Sequence, residues 1–213
     1  MTVNFSDSEL AKLKKDVLIL FEWSQQLVFT KLNIIRQELL HFHDYSPIEH
    51  LKGRIKTPEA IAEKLHRLNL EITADNARTH LEDISGLRII CPFSKDIYSL
   101  VEILESIPDW KVTKQKDYIT NPKPSGYRSF HLIIQLPISY SGNTECVPVE
   151  IQIRTAAMDF WASMEHKVRY KYNDHVPRHL SDELVVCADK IAELDERMVL
   201  IHEIITLINQ EPG

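Results

Sequence analysis

A chain of 213 residues with 44% apolar and 26% charged side chains can bury a proper core, which excludes a globally disordered protein. Its net charge of −6 excludes a protein whose main work is coating nucleic acid, so any anionic ligand has to be held by a local group of cations. Three scattered cysteines suggest reduced thiols inside a cell, and no apolar run approaches the length needed to cross a bilayer.

The first residues, MTVNFSDSELAKLKKD, lack a basic stretch followed by an apolar run, so no signal peptide is read and the cytoplasm is the expected compartment. Ser6 to Glu9 has the pattern of a capping box. Leu10, Leu13, Val17, Leu20, Leu27, Ile35 and Leu39 suit a long helix or helical pair to about His41. A second box, Ser46-Pro47-Ile48-Glu49, predicts a short helical turn with proline at its first position. Thr57-Pro58-Glu59 repeats that signal and opens a helix to about Leu70.

The period then changes. LRIICPF (87–93), WKVTKQKDYI (110–119), FHLIIQLPI (130–138) and VPVEIQIRT (147–155) are β-branched or alternating runs ended by proline, glycine or serine, with a helix-like stretch from Lys95 to Ser106. At the end Leu184, Cys187, Ile191, Leu194, Met198, Ile201, Ile205 and Ile208 form a heptad seam. Burial against the N-terminal helix of the same chain is expected for most of it, with an oligomer contact through the two long helices as a further reading. The fold class is α/β (α+β): a mixed sheet of at least four strands, about five, flanked by helices. One domain is read over 1–213, with an N-terminal helical segment 1–45, a core 46–172 and a C-terminal helix 178–210.

Several stretches could carry chemistry. In VPVEIQIRT, Val149, Ile151 and Ile153 point to one face while Glu150, Gln152 and Arg154 point to the other. On a solvent-facing sheet that polar row would do nothing; beside a cleft it would. DISGLR places Asp83 before a strand, where a carboxylate is often a turn residue. Two carboxylates on neighbouring strands also suit Mg²⁺ beside nucleotide phosphates, and Asp83 and Glu150 are such a pair. Lys52, Arg54 and Lys56 lead into a helix start, a seat for phosphate, and Lys64 follows on that helix. Each charge-assisted contact contributes roughly 1.5–3 kcal/mol, so a few could hold a triphosphate on an acidic protein. KDYITNPKPSGYRSFH, 116–131, puts cations, a tight turn and rings together. Lys116 and Lys123 suit phosphates, Gly126 allows close approach, and Tyr127 offers a face for a purine, worth about 1–3 kcal/mol. A hairpin loop with a packed tyrosine is the plainer reading.

KGRIK, DISGLR, KDYITNPKPSGYRSFH and VEIQIRT, in this order, closely resemble the synthetase domain of the RelA/SpoT alarmone enzymes, and TAAMDFWASMEHKVRYKY (155–172) fits the same pattern. The length resembles their stand-alone members, the small alarmone synthetases. This resemblance implies a nucleotidyltransferase-like fold and transfer of pyrophosphate from ATP to the 3′-hydroxyl of GDP or GTP. It implies Arg54, Lys56, Lys64 and Arg88 on ATP, and Asp83 and Glu150 on Mg²⁺, with Glu150 also taking the 3′-hydroxyl proton. Tyr127 would stack on guanine, with Lys116, Lys123, His131 and Gln152 near the acceptor. A homo-oligomer, a tetramer, is implied as well. Ala60 departs from the serine common in the family, and Ser125 from asparagine. His43-Asp44 spells the HD pair of the hydrolase domain found in larger relatives but lacks its other ligands, so no hydrolase activity is expected. HFH at 41–43 and His166 read as surface or helix-packing residues, Cys91 as buried in a strand and Cys187 as part of the seam. Two other readings stay open: the same cleft acting on adenine nucleotides or RNA 3′ ends, and a binding module for guanine nucleotides or single-stranded RNA without catalysis.

Overall fold

The computed structural model describes residues 10–210 apart from 12, 15, 16 and 174, so the Ser6 to Glu9 capping box lies outside the described residues. Among the described residues six helices, α1 (Leu18–His43), α2 (Pro58–Arg67), α3 (Ala74–His80), α4 (Ser94–Ser106), α5 (Ala156–Lys171) and α6 (Arg178–Gln210), accompany five strands. The strands are β1 (His50–Ile55), β2 (Ser85–Cys91), β3 (Lys111–Asp117), β4 (Phe130–Tyr140) and β5 (Asn143–Thr155), in sheet order β1-β2-β5-β4-β3. β2 and β5 run parallel and every other pair is antiparallel, so the sheet is mixed as expected.

Local chemistry explains most of these elements. β4 and β5 form a hairpin across Ser141-Gly142, both at positive φ, the turn whose twist matches that of paired strands. The alternation in β5 is realised: Val149, Ile151 and Ile153 are fully buried, while Glu150 and Gln152 stay partly exposed on the other face. The apolar row joins Leu87 and Ile89 of β2, Leu132 and Ile134 of β4, Val28, Leu32 and Ile35 of α1, and Ile97, Leu100 and Leu104 of α4 in one core. α1 lies across β1, β2, β5 and β4. Thr57 caps α2, its Oγ1 accepting the Ala60 N–H at 3.3 Å, with Pro58 at the first helical position.

Three expectations need correction. Ser46-Pro47-Ile48-Glu49 starts no helix; Ser46 Oγ accepts the Ile48 N–H at 3.1 Å and the chain turns directly into β1. That strand escapes the alternation test because Gly53 interrupts HLKGRI, and it does so for a reason. A Cβ there would lie 2.8 Å from the Gln25 side chain, whose Nε2 donates to the Gly86 carbonyl at 3.1 Å. α2 stops at Arg67 rather than Leu70, and the short α3 follows it unforeseen. The third correction concerns α6. Its seam is not buried against α1: Leu194, Met198, Ile201, Ile205 and Ile208 are 45–65% exposed, and Cys187 is exposed too. α6 packs on α5 and α4, and the residue it buries most deeply is Ala188, outside the seam. Among the described residues no helix is long and apolar enough to cross a membrane.

Ile89 lies in the middle of the parallel pair and is fully buried. Ile89→Ala should therefore cost about 2–5 kcal/mol in urea unfolding; a loss below about 1 kcal/mol would place the core elsewhere.

Candidate active site

Register assembles the polar face row by row. Lys52, Arg88, Gln152, His131 and Lys116 pair across all five strands, and Arg54, Gly86 and Glu150 form the adjacent row. Paired residues project to the same side, so these groups share one surface. A cleft of about 380 Å³ opens there, lined by Lys52, Arg54, Lys56, Asp83, Arg88, Glu150 and Gln152, with Gly86 as part of its floor. Lys52 and Arg54, read from sequence as the approach to a helix, sit instead on β1.

Asp83 and Glu150 line this cleft together. Asp83 precedes β2 by two residues, and Gly86 pairs with Glu150 on the parallel neighbour. Lys56 Nζ and Lys64 Nζ each approach Asp83 Oδ2 at 2.7 Å. Burial pushes the Asp83 carboxyl up, but the hydrogen bonds and charges of these two ammonium groups outweigh it and hold it below the usual carboxylate range. Glu150 behaves alike. Burial raises it, while the His131 contact, the charge of His131 and the Gln152 hydrogen bond bring it below its ordinary value. Asp83 Oδ1 is buried without a partner, as is Arg88 Nε on the wall of the same cleft. A buried carboxylate oxygen left bare is a ready ligand for a hard cation. No group of three or more such side chains gathers among the described residues, so a divalent ion here would complete its shell from phosphate oxygens and water.

A second cavity of about 440 Å³ shares Arg54, Arg88 and Gln152 with the first and continues to Tyr127, Arg154 and the α5 residues Ser163, His166 and Lys167. His166, read as a surface or packing residue, is exposed at the rim of this cavity. Arg154 is the group the sequence undervalued. It is 4% exposed and donates to Asp159 Oδ1 (3.1 Å), Gln152 Oε1 (2.8 Å) and Tyr127 Oη (2.5 Å). Asp159 also takes Arg88 at 3.0 Å, which keeps two neighbouring guanidinium groups together. Burial, then the charge of Arg154, pull the Arg88 pKa down; Asp159 opposes them. The i-to-i+5 spacing of Arg154 and Asp159 across a strand–helix junction was the only signal for this pair.

The loop from 118 to 129 closes the far side. Lys123 Nζ stands 4.7 Å from the Tyr118 ring and 4.8 Å from the Tyr127 ring, and Arg154 lies 5.0 Å from the latter. Tyr118 was not singled out in advance. Lys116 is exposed on β3. Gly126 does permit a close approach, yet to α6 rather than to a ligand: with φ at +88°, its Cβ would lie 2.7 Å from that of Ala188. Arg128 reinforces this contact, donating to the Ile119 carbonyl at 3.0 Å and to Asp189 Oδ1 at 3.2 Å. His41, Phe42, His43 and Asp44 are all exposed. Cys91 is buried in its strand.

A family model described as a region found in RelA / SpoT proteins matches residues 53–175. The GTP pyrophosphokinase YwaC of Bacillus subtilis (strain 168) is 48% identical over 185 residues, covering 87% of this chain and 88% of that protein. The crystal structure of small alarmone synthetase 2 from Bacillus subtilis matches with a TM-score of 0.80 and 45% identity over 87% of this chain and 96% of that one. Small alarmone synthetase 1 from the same organism, bound to its product pppGpp, matches with a TM-score of 0.83 and 37% identity, covering 89% and 96%.

The lowered Asp83 and Glu150 pKa values fix a pH dependence. A depressed folded-state pKa contributes stability that is present above the ordinary values of 3.8 and 4.5 and lost as pH falls through the lowered ones. Asp83→Asn, which leaves Lys56 and Lys64 without their counter-charge, should be less stable than wild type at pH 7 but lose less on acidification to about pH 3. Urea unfolding at both pH values reads this; equal acid losses in the two proteins would contradict it.

Proposed function

The chain belongs to the family of RelA / SpoT proteins, and from that premise we propose that it transfers pyrophosphate from ATP to the 3′-hydroxyl of GDP or GTP, making ppGpp or pppGpp. The observation that carries this reading is the meeting of two carboxylates, Glu150 on β5 and Asp83 just ahead of the parallel β2, inside one cleft rich in lysine and arginine. In the reaction the 3′-oxygen bonds to the β-phosphorus of ATP, the bond from that phosphorus to the oxygen it shares with the α-phosphorus breaks, and AMP leaves with that oxygen. Such transfer needs mainly positioning and neutralised charge.

Arg54, Lys56, Lys64 and Arg88 hold ATP and its phosphates. Lys56 and Lys64 meet at Asp83, so the charge drawing in the donor also keeps its carboxylate ionised. Asp83 and Glu150 hold a divalent ion, Mg²⁺ in this reading; the bare Asp83 Oδ1 supports that fit. When bound, the ion supplies charge neutralisation on the pyrophosphoryl group. Glu150, held below its usual pKa, is ionised at neutral pH and takes the 3′-hydroxyl proton. Tyr127 stacks on the guanine, with Lys116, Lys123, His131 and Gln152 around the acceptor. Stacking on the side where Lys123 now rests requires that ammonium to move, which frees it for a phosphate. The protein is in the same reading a homo-oligomer, a tetramer, joined through the apolar stripe that α6 leaves exposed.

Incubation with γ-labelled ATP, Mg²⁺ and, separately, GDP, GTP, ATP or an RNA with a free 3′ end tests the activity. Label should move to GDP or GTP; label only on adenine nucleotide or RNA, or binding without transfer, would overturn the assignment. Asp83→Asn and Glu150→Gln should each lower turnover at least about a hundredfold, and near-normal rates would remove them from the metal site. Sedimentation should show wild type heavier than one chain and Ile201→Asp with Ile205→Asp lighter; a monomeric wild type would end the oligomer reading.

A further inference from the structure

Five side chains, Glu150 among them, close a hydrogen-bonded ring. Arg154 Nη2 donates to Tyr127 Oη at 2.5 Å; Tyr127 Oη lies 2.8 Å from His131 Nε2; His131 Nδ1 lies 3.1 Å from Glu150 Oε1. On the other branch Arg154 donates to Gln152 Oε1 at 2.8 Å, and Gln152 Nε2 donates to Glu150 Oε2 at 2.8 Å. Both carboxylate oxygens are thereby tied to one buried guanidinium by separate routes.

Donor and acceptor chemistry says how the ring is joined. An ionised Glu150 only accepts, so the hydrogen between it and His131 is carried on Nδ1. The Tyr127 hydroxyl meets the other ring nitrogen, Nε2, at 2.8 Å and holds the imidazole from its far side. Arg154 has no acceptor capacity, so it donates to one lone pair of Tyr127 Oη and leaves the rest of that hydroxyl to His131. Ser129 Oγ (3.3 Å) and Asp159 (3.1 Å) hold the guanidinium still.

We propose that Tyr127 has two separable roles: its ring receives the acceptor base, and its hydroxyl is a positioning group that orients His131 and so aims Glu150 at the 3′-hydroxyl. This rests on the reading of Glu150 as proton acceptor given above. Ring and hydroxyl act on different steps, since stacking concerns capture of the acceptor, while the hydroxyl concerns only where the Glu150 oxygens stand during transfer.

The test compares wild type, Tyr127→Phe and Tyr127→Ala, and reads His131 by ¹⁵N NMR in protein free of metal and nucleotide, its signals assigned by their loss in His131→Gln. Tyr127→Phe should shift the His131 Nε2 signal, which loses its hydrogen-bond partner, and lower kcat about three- to tenfold, the effect of one hydrogen bond, with the acceptor KM within about twofold. Tyr127→Ala should raise the acceptor KM in addition. A Tyr127→Phe with unchanged kcat, or with an unchanged His131 Nε2 signal, would overturn the proposal. Near-normal turnover of Glu150→Gln would instead remove the base itself, whereas an inactive Glu150→Gln beside an unaffected Tyr127→Phe removes only the role of the hydroxyl.

Discussion

The parallel pairing of β2 with β5 is the constraint from which the site follows. It sets Gly86 opposite Glu150 and Arg88 opposite Gln152, and it brings Asp83, just ahead of β2, to the same cleft. The same register packs Leu87 and Ile89 beside Ile151 and Ile153 in the core. With a side-chain period of two, a slip of one residue would drive Glu150 and Gln152 into that core and turn the isoleucines outward. Core and site therefore enforce one another: the apolar face fixes the register that the charged face needs.

Charge on that face is balanced locally, which is how an acidic protein can offer a cationic cleft. Asp83 sits between Lys56 and Lys64, and Asp159 between Arg88 and Arg154. In both places one carboxylate serves two cations, so positive charge remains in excess. Two buried atoms without partners, Asp83 Oδ1 and Arg88 Nε, lie on the wall of this cleft. A structural ion-pair cluster would satisfy such atoms internally; a binding site leaves them for its ligand.

α6 joins two surfaces that look unrelated along the sequence. One side carries Ala188 and Asp189, which hold Gly126 and Arg128 of the loop around Tyr127, and the Leu184 carbonyl, which accepts from Trp161 of α5 at 2.8 Å. Deeper along the helix, Asp195 accepts from Thr155 at 2.6 Å, the residue that ends β5 and caps α5. The other side presents Leu194, Ile201, Ile205 and Ile208 to solvent. Whatever covers that stripe acts on the helix that supports the Tyr127 loop.

The sequence by itself determined what local pattern can determine. Alternation in VPVEIQIRT separated the buried residues from those facing the cleft, Thr57-Pro58-Glu59 marked the start of α2, and the motifs KGRIK, DISGLR and VEIQIRT supplied most of the residues that line the cleft. Where it failed, a partner distant in sequence was the cause. β1 was hidden because Gly53 yields its place to Gln25 of α1, and the turn expected at Ser46 gave way to pairing with β2. The seam of α6 has the same period whether a helix of this chain covers it or nothing does, since periodicity states that a face is apolar and not what meets it. Gly126 announces a tight place without saying that Ala188 fills it. The ring from Arg154 through Tyr127 and His131 to Glu150 needs two strands and a loop at hydrogen-bond distance, and only the folded sheet sets those distances.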